Sequence, residues 1–227
     1  MQMDWQSRTG SQRKHNSDAL AVSIKETFCL IVLVDAVESP NSQALARCWA
    51  QCCIDDFDTS DFSDPSIVIR KLKQRYLSFR LRFFEERASY TLAIIDIKSR
   101  QGWLLFAGDC RAGLKKGDDS IDWLHLPHTL EAQLSLFSSD TPLIEDAHHH
   151  LTRSFKGRRF ESPEIQRFNW SEKTDFVLCS DGYWREHLQE GIALYELNDD
   201  ASIFRMSVGA LAFTPQSDTA NFFIYGF

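Results

Sequence analysis

The sequence predicts an α+β fold, and three observations support this class. Short apolar runs with strand character occur in both halves of the 227-residue chain, and two amphipathic stretches of helical length lie between them. Gly and Pro number only 10 and 6, as expected of packed elements joined by short connections. The 43% of apolar residues can build a core, and no repeat or linker forces a division, so we expect one domain over residues 1–227.

The first half of the chain predicts three strands and two helices. The third strand is a continuous apolar run, typical of a strand buried on both faces. In the first helix, Leu45, Trp49 and Cys52 recur on one helical face. The second helix begins at Pro65, a residue suited to a first helical turn, and extends to about Arg87. The predicted strands are 3–8, 19–24 and 28–34.

From residue 89 onward the pattern returns to strands, separated by short polar or glycine-containing turns, as in an antiparallel meander. Nearer the C-terminus, one strand precedes two helical segments and a final strand. The predicted strands are 90–97, 102–107, 112–115, 165–168, 175–179 and 221–225, and the predicted helices are 130–136, 183–190 and 201–213.

Charge and hydropathy exclude several classes of function. The formal charge of −7 argues against a nucleic-acid binder that works through overall charge. The longest apolar run, 28–34, is far shorter than the roughly 20 residues of a membrane span. The N-terminal segment has no apolar stretch followed by a small-residue cleavage site. We therefore expect a cytoplasmic monomer without a nucleic-acid or membrane partner.

Aspartates stand at the boundaries of the predicted strands. Asp35, Asp109 and Asp181 follow apolar runs, whereas Asp18 and Asp218 precede them. Because strand starts lie beside the ends of antiparallel neighbours, these five carboxylates could share one sheet edge. Like charges at a few Å need protons or cations, so the pattern predicts a site for Mg²⁺ or Mn²⁺. Taken singly, each Asp has a simpler explanation as a turn residue that accepts backbone hydrogen bonds.

The segments around these aspartates follow a known pattern, in order, through nearly the whole chain. Arg13–Ala19 is similar to an R-x-x-x-E-D-A segment, and Val34–Ala36 takes the place of V-x-D-G. Ala107–Ala112 resembles a G-D-S-R motif, Leu178–Gly182 matches S-D-G, and Ser217–Thr219 stands where D-N is usual. This succession resembles the metal-dependent serine/threonine protein phosphatases of type 2C, the PPM family, in a divergent bacterial form.

The resemblance implies a fold and an activity. The fold would be a four-layer αββα sandwich, with two antiparallel β-sheets flanked by helices. The activity would be hydrolysis of phosphoserine or phosphothreonine in a protein substrate of a serine/threonine kinase. Two Mn²⁺ or Mg²⁺ ions, with a possible third, would activate the attacking water, and no phosphoenzyme intermediate would form.

The resemblance also implies a set of metal ligands. Asp35 would bridge two ions, with the main-chain carbonyl of Ala36 as a further ligand. Asp181 and Asp218 would complete the shell of one ion. Asp109 would bind a weaker third ion together with Asp181. These assignments place the whole ligand set at the predicted sheet edge.

Four further residues bear on catalysis. Arg13 would receive the substrate phosphate through a charge-assisted fork, and Asp18 would accept a hydrogen bond from ion-bound water. Ser17 replaces the family glutamate at the second ion with a neutral hydroxyl, which leaves that site in question, and Glu38 could supply the missing carboxylate. Two functions therefore stay open: a phosphatase, or a pseudophosphatase that acts as a regulatory phosphoprotein-binding module. Hydrolysis of a small phosphorylated metabolite or nucleotide is a third.

Several polar clusters have both a structural and a functional interpretation. The triplet His148–His150 fits a solvated loop, since adjacent residues point in different directions and cannot all ligate one ion. His128 fits a partly buried structural histidine. The stretch 70–87 carries seven basic residues against Glu85 and Glu86. It is either a solvated helix face or a docking surface for an acidic partner or phosphoprotein.

Overall fold

Two β-sheets dominate the computed structural model, which describes residues 1–55, 57, 64–137 and 146–226. Strand positions agree closely with the apolar runs of the sequence. The strands are β1 Gln2–Arg8, β2 Asp18–Ile24, β3 Phe28–Ala36, β4 Arg87–Asp96, β5 Gln101–Ala107, β6 Arg111–Lys115, β7 Ile121–Trp123, β8 Phe155–Lys156, β9 Glu164–Asn169, β10 Asp175–Cys179, β11 Ala201–Ser207, β12 Ala212–Ser217 and β13 Phe222–Tyr225.

The sheets are mixed rather than purely antiparallel. Sheet I has the strand order β12-β1-β11-β10-β6-β7, and sheet II has the order β13-β2-β3-β4-β5-β9, with β8 paired to the start of β4. The pairs β1–β12 and β2–β13 are parallel. In sheet I this follows from position, because β11 and β12 flank β1 on opposite sides and the chain reverses between them. The predicted α+β class is confirmed, and the antiparallel description is corrected at these two edges.

Helices cover the outer faces of the two sheets. Against sheet II pack α1 and α2, and against sheet I packs a π-helical segment that contributes Tyr183 and Trp184 to a buried cluster. In the part of the chain that the structure describes, no helix is both long and apolar enough to cross a membrane. The helices are α1 Ser42–Ile54, α2 Pro65–Phe79, α3 Leu130–Ser135, a 3₁₀ turn Ala147–His149 and the π-helix Gly182–Gln189.

The strand β3 shows how the continuous apolar run is used. Its residues Cys29, Ile31 and Leu33 face the core between the sheets. The alternate residues, such as Leu30 and Val32, pack against the helices outside sheet II. Each fully buried aliphatic side chain of this kind contributes about 1.5–3 kcal/mol. Because both faces of β3 are buried, the strand is held firmly in the sheet, and so is Asp35 near its C-terminal end.

Two predicted helices differ from the structure. The helix α2 ends at Phe79, and residues 80–86 turn toward β4 rather than continuing to Arg87. The segment 201–213, predicted as a helix, forms β11 and the start of β12. The strand β11 pairs with β1 on one side and β10 on the other, and these tertiary contacts outweigh a weak local pattern.

The six cysteines are free thiols. Four are buried, and Cys48 and Cys52 are half-buried on α1. The buried face of α1 is carried by Leu45, Trp49 and Cys53, so Cys52 lies beside this face rather than on it.

Candidate metal centre and active-site cleft

The sheet register gathers acidic residues at one end of the sandwich. In sheet II, Asp18 lies opposite Asp35, and Asp35 lies opposite Ser89. In sheet I, Asp181 comes two residues after β10, beside the residue pair 199–200 that precedes the antiparallel strand β11. Strand ends from both sheets thus meet over the same edge of the core.

A cleft of about 180 Å³ opens at this end of the molecule. Asp35 and Asp181 line it and are half-buried, whereas Asp109 is only 7% exposed. Val37 and Leu151 are apolar residues of its lining. The cleft is therefore a small cavity in which acidic residues form nearly half of the lining.

Burial and mutual repulsion raise the pKa of the carboxyl groups in the cleft. For Asp35, burial is the largest cause, and the charges of Asp18, Asp181, Asp109 and Asp199 add to it. The pKa of Asp181 is raised in the same way. The charges of Asp35 and Asp181 disfavour each other, so a proton on one of them or a cation between them would stabilise the pair.

Asp18 lies behind the floor of the cleft and is 1% exposed. One carboxylate oxygen accepts a hydrogen bond of 2.9 Å from the Ser180 hydroxyl. The other oxygen, Oδ1, has no hydrogen-bond partner among the described residues. A buried carboxylate oxygen without a donor is unfavourable unless water, a proton or a cation satisfies it. The pKa of Asp18 is raised by this burial and by the charge of Asp200.

The orientation of Asp109 depends on a glycine turn. Gly108 has φ of +110°, and a Cβ there would lie 2.1 Å from the Ser89 hydroxyl oxygen, so only glycine fits. The Ser89 hydroxyl donates a 2.5 Å hydrogen bond to Asp109, and the Asp109 amide donates to the same hydroxyl at 3.1 Å. The Trp184 indole donates to the Asp109 carbonyl at 2.8 Å. Asp109 is thereby held facing the cleft.

Asp218 does not join the cluster. It follows the edge strand β12, is exposed, and accepts hydrogen bonds from the Thr9 amide at 2.7 Å and the Thr9 hydroxyl at 3.1 Å. Asp199 and Asp200 line the cleft instead. The signal in the sequence was available, since both directly precede β11, but the helix predicted at 201–213 concealed this strand start. Asp218 thus lies outside the set of residues that line the cleft, and its predicted ligand role has no support from this geometry.

Asp200 fastens two loops at the cleft wall. Its carboxylate accepts hydrogen bonds from the backbone amides of Gly10 at 3.0 Å and Ser17 at 2.6 Å. Burial raises the pKa of Asp200 to about 6 despite these donors. The Ser17 hydroxyl is engaged with the Ser42 hydroxyl at 2.7 Å. Ser17 therefore holds the cleft wall in place through its amide and hydroxyl, and its side chain is not free to bind a metal ion.

Arg13 stands at the cleft wall, where the sequence places it, but its guanidinium is occupied. Its Nε and Nη2 atoms donate to the two carboxylate oxygens of Asp199, each at 2.7 Å. Its Nη1 atom donates to Glu38, whose side chain is 52% exposed. These carboxylates, Asp199 first, raise the pKa of Arg13. Arg13 is thus already seated in an anion-binding geometry.

The two histidine motifs behave differently. His149 lines the cleft, in contact with the His148 ring at a centroid distance of 3.9 Å. No local sequence pattern indicates that one histidine of this triplet lines the cleft. His128 lies outside the cleft, accepts a hydrogen bond from the Gly108 amide at 3.3 Å and pairs with Glu164 at 3.0 Å. The structural interpretation of His128 is therefore confirmed.

The structure brings most of the predicted site together and matches the chemistry of a hard cation. Within the described ranges, no three His, Cys, Asp or Glu side chains already converge at ligating distance. The donor type nevertheless fits Mg²⁺ or Mn²⁺, because it consists of buried carboxylate oxygens that repel one another. The predicted residues at or directly behind the cleft are Arg13, Asp18, Asp35, Ala36, Glu38, Asp109 and Asp181.

Comparison with known proteins shows similarity at the level of the fold. No family model matches the chain, and a search of curated protein sequences finds no significant match. Solved structures do match. The serine/threonine phosphatase of S. agalactiae is 14% identical, with a TM-score of 0.71 over 91% of this chain and 99% of that one. Stp1 from Staphylococcus aureus is 14% identical, with a TM-score of 0.69 over 92% and 95%.

A third structure, the catalytic domain of the serine/threonine phosphatase PstP in complex with two manganese ions, is 17% identical. It aligns with a TM-score of 0.65 over 90% of this chain and 96% of that one. The alignments cover at least 90% of this chain and at least 95% of each solved structure. This chain therefore has the fold of the bacterial PPM-type serine/threonine phosphatases.

Proposed function

We propose that this chain is a metal-dependent protein phosphatase that hydrolyses phosphoserine and phosphothreonine. One observation carries the proposal: carboxylates from both sheets converge on a single cleft, in a fold shared with bacterial serine/threonine phosphatases. We further propose that it acts in the cytoplasm as a single-domain monomer on proteins phosphorylated by a serine/threonine kinase.

The candidate ligands for Mn²⁺ or Mg²⁺ are Asp35, Asp109, Asp181 and Asp199, with the Ala36 carbonyl. PstP, which has the same fold, binds two manganese ions. When bound, such ions neutralise the carboxylates and lower the pKa of water, so that it can attack phosphorus at neutral pH. The raised pKa values of Asp35 and Asp181, caused by burial and by neighbouring carboxylates, support a site that added positive charge would stabilise.

Arg13 is the proposed receptor for the substrate phosphate. A guanidinium binds two oxygens of a phosphate through parallel hydrogen bonds, as it now binds the two oxygens of Asp199. Phosphate would therefore take the place of Asp199 on Arg13, which releases the Asp199 carboxylate toward the cleft. Asp18, held by Ser180, is placed to accept a proton or hydrogen bond from water at the cleft floor.

Glu38 is the proposed replacement for the acidic ligand that Ser17 does not supply. It lines the same cleft wall as Asp35 and is partly exposed, so it can turn toward an ion. The Glu38 carboxylate already forms an ion pair with Arg13. The same negative charge would therefore serve both the ion pair and the bound metal ion.

The decisive experiment measures hydrolysis of p-nitrophenyl phosphate and of a phosphothreonine peptide with Mn²⁺ and with EDTA. We expect turnover with Mn²⁺, none with EDTA, and a large loss for Asp35→Asn. Turnover that persists in EDTA, or that Asp35→Asn leaves unchanged, would disprove the metal-dependent mechanism.

A second candidate function is a pseudophosphatase that binds phosphoproteins without hydrolysis. Two observations favour it: the Ser17 hydroxyl is engaged with Ser42, and Arg13 is already paired with Asp199 and Glu38. This alternative predicts saturable binding of the phosphothreonine peptide and of Mn²⁺ but no release of phosphate. Binding and hydrolysis measured on the same preparation separate the two functions.

A further inference from the structure

A second cavity, of about 300 Å³, lies between residues 84–87 and residues 156–159. Four cationic side chains line it, with Phe84 as the apolar element of its wall. We call this cavity the basic groove. Its cationic lining residues are Arg87, Lys156, Arg158 and Arg159.

The basic groove adjoins the carboxylate cleft. The amide of Val37, a cleft residue, donates to the Arg87 carbonyl at 3.1 Å. Ser89, also a cleft residue, follows Arg87 by two positions along β4. At roughly 3.4 Å per residue, the two sites are about 7 Å apart along this strand. An extended peptide with one residue in the cleft would reach the basic groove within two or three residues.

Glu85 and Glu86 also line the basic groove, and Glu161 pairs with two of its cations; all three carboxylates are engaged. Glu85 pairs with Arg158, and Glu86 accepts a hydrogen bond from the Ser39 hydroxyl. Glu161 pairs with Lys156 at 3.0 Å and with Arg159 at 2.7 Å.

Arg87 is exposed and forms no ion pair with any residue that the structure describes. The side chains of Arg158 and Arg159 are 67% and 75% exposed. Four basic side chains of the groove thus stand against three acidic ones, a local excess of one positive charge in a protein whose formal charge is −7.

The shape of the surface favours a peptide. Phe84 is 46% exposed and Leu81 is 80% exposed, and the Arg158 guanidinium lies 5.5 Å from the Phe84 ring. This combination of exposed apolar side chains with cations can hold both the carboxylates and the methylene groups of an acidic peptide segment.

We propose that the basic groove binds acidic residues that lie two or three positions from the phosphorylated residue of the substrate. This inference rests on the proposed phosphatase function and adds a substrate class to it: phosphoproteins whose modified residue is flanked by Asp or Glu. The charge of the groove and its adjacency to the cleft carry the argument.

The test compares kcat/KM for two phosphothreonine peptides, one with acidic and one with neutral residues at these positions. We expect the wild type to prefer the acidic peptide by about tenfold at low salt, and by less than about twofold in 0.5 M NaCl. The double variant Arg87→Glu/Arg158→Glu should lose this ratio. The ratio cancels any general loss of activity in the variant. No preference in the wild type would overturn the proposal.

The double variant Lys98→Glu/Lys173→Glu is the matched control, because it makes the same charge change in two exposed turns that lie outside the groove. The control should keep the full preference, and an equal loss in the control would overturn a specific groove. If the double variant does not fold, Arg158→Ala alone should still reduce the preference about threefold. Binding to vesicles with 30% phosphatidylserine in place of the acidic peptide would also overturn the proposal.

A binding measurement separates this proposal from the proposed function. A fluorescein-labelled acidic peptide without phosphate should bind the wild type in an anisotropy assay and bind Arg87→Glu/Arg158→Glu at least fivefold more weakly. If no phosphopeptide is hydrolysed but this difference is present, the phosphatase function fails and the acidic docking groove stands. If hydrolysis occurs without this difference or any acidic preference, the groove fails alone.

Discussion

Aspartates stand at both ends of the sandwich, and their environments are opposite. At the cleft end, burial and neighbouring carboxylates raise the pKa of Asp35 and Asp109. At the other end, Asp96 closes β4 and accepts hydrogen bonds from the amides of Lys98 at 2.8 Å and Ser99 at 3.0 Å. These donors, Ser99 first, lower the pKa of Asp96. At the cleft end the charged form of aspartate is disfavoured. At the other end it is favoured, because the carboxylate accepts the backbone hydrogen bonds of a turn.

This difference indicates that the neighbours of a strand-end aspartate decide whether its carboxylate stabilises a turn or is available to bind a cation. Asp118, in the turn after β6, likewise accepts from a serine two residues on and has a lowered pKa. The carboxylates of Asp96 and Asp118 accept hydrogen bonds from residues two or three positions further along the chain. The cleft aspartates lack enough local donors and need an external positive charge, which is the property expected of a metal centre.

The largest expected effect contrasts Asp181→Asn with Asp96→Asn. Asp181→Asn should lower Mn²⁺-dependent hydrolysis by at least about 100-fold, because it removes a charged ligand from the cleft. Asp96→Asn should change the rate by less than about twofold. Steady-state kinetics at saturating Mn²⁺ provide the measurement. If the two substitutions lowered the hydrolysis rate equally, the proposed difference between the cleft end and the opposite end of the sandwich would be wrong.

A second comparison uses stability without metal. Asp35→Asn should stabilise the metal-free protein by about 1–2 kcal/mol, because it removes a buried charge that its neighbours repel. For a chain of this size, each kcal/mol raises Tm by about 2–4 °C. Asp96→Asn should instead lower Tm slightly through its weakened turn. Thermal unfolding in EDTA tests both, and a lower Tm for Asp35→Asn would contradict the account.

The pH dependence of stability should differ between the two ends. Carboxyl groups with raised folded-state pKa values contribute stability that is full below the unfolded value near 4 and is lost as pH rises through the folded value. For Asp200 that upper value is about 6. In the metal-free protein, the contribution of the cleft carboxyl groups to the free energy of unfolding should therefore become more favourable as the pH falls from 7 to 5. Asp96, with its lowered pKa, should lose its contribution only below about pH 4.

Buried His125 works in the opposite direction over this range. Burial lowers its pKa to about 4, so its contribution to stability falls as the pH drops below about 6.5. The difference in unfolding free energy between wild type and Asp35→Asn cancels this term. That difference should shrink from pH 7 to pH 5, and a difference that stays constant would refute the raised pKa values of the cleft.

The smallest expected effect concerns Glu38. Glu38→Gln should weaken Mn²⁺ affinity about threefold to tenfold, less than Asp35→Asn, because the Glu38 carboxylate is shared with Arg13. Equilibrium dialysis with Mn²⁺ provides the measurement. Unchanged affinity together with an unchanged rate would remove Glu38 from the proposed ligand set.

The sequence predicted the fold class and most of the site because both depend on local patterns. Apolar runs located the central strands, and the residues at their ends located Asp18, Asp35, Asp109 and Asp181. The pairing of Asp199 with Arg13 joins loops 186 positions apart, which no local pattern reveals. The strand β11 escaped prediction because its partners on both sides, rather than its own composition, specify it.

The central claim is that the cleft carboxylates hold protons in place of divalent cations. Isothermal titration of Mn²⁺ at pH 6, in buffers of different ionisation enthalpy, tests it most directly. The account predicts saturable binding, release of protons on binding, and loss of both in Asp35→Asn. Absence of saturable binding, or binding that Asp35→Asn leaves intact and without proton release, would contradict it.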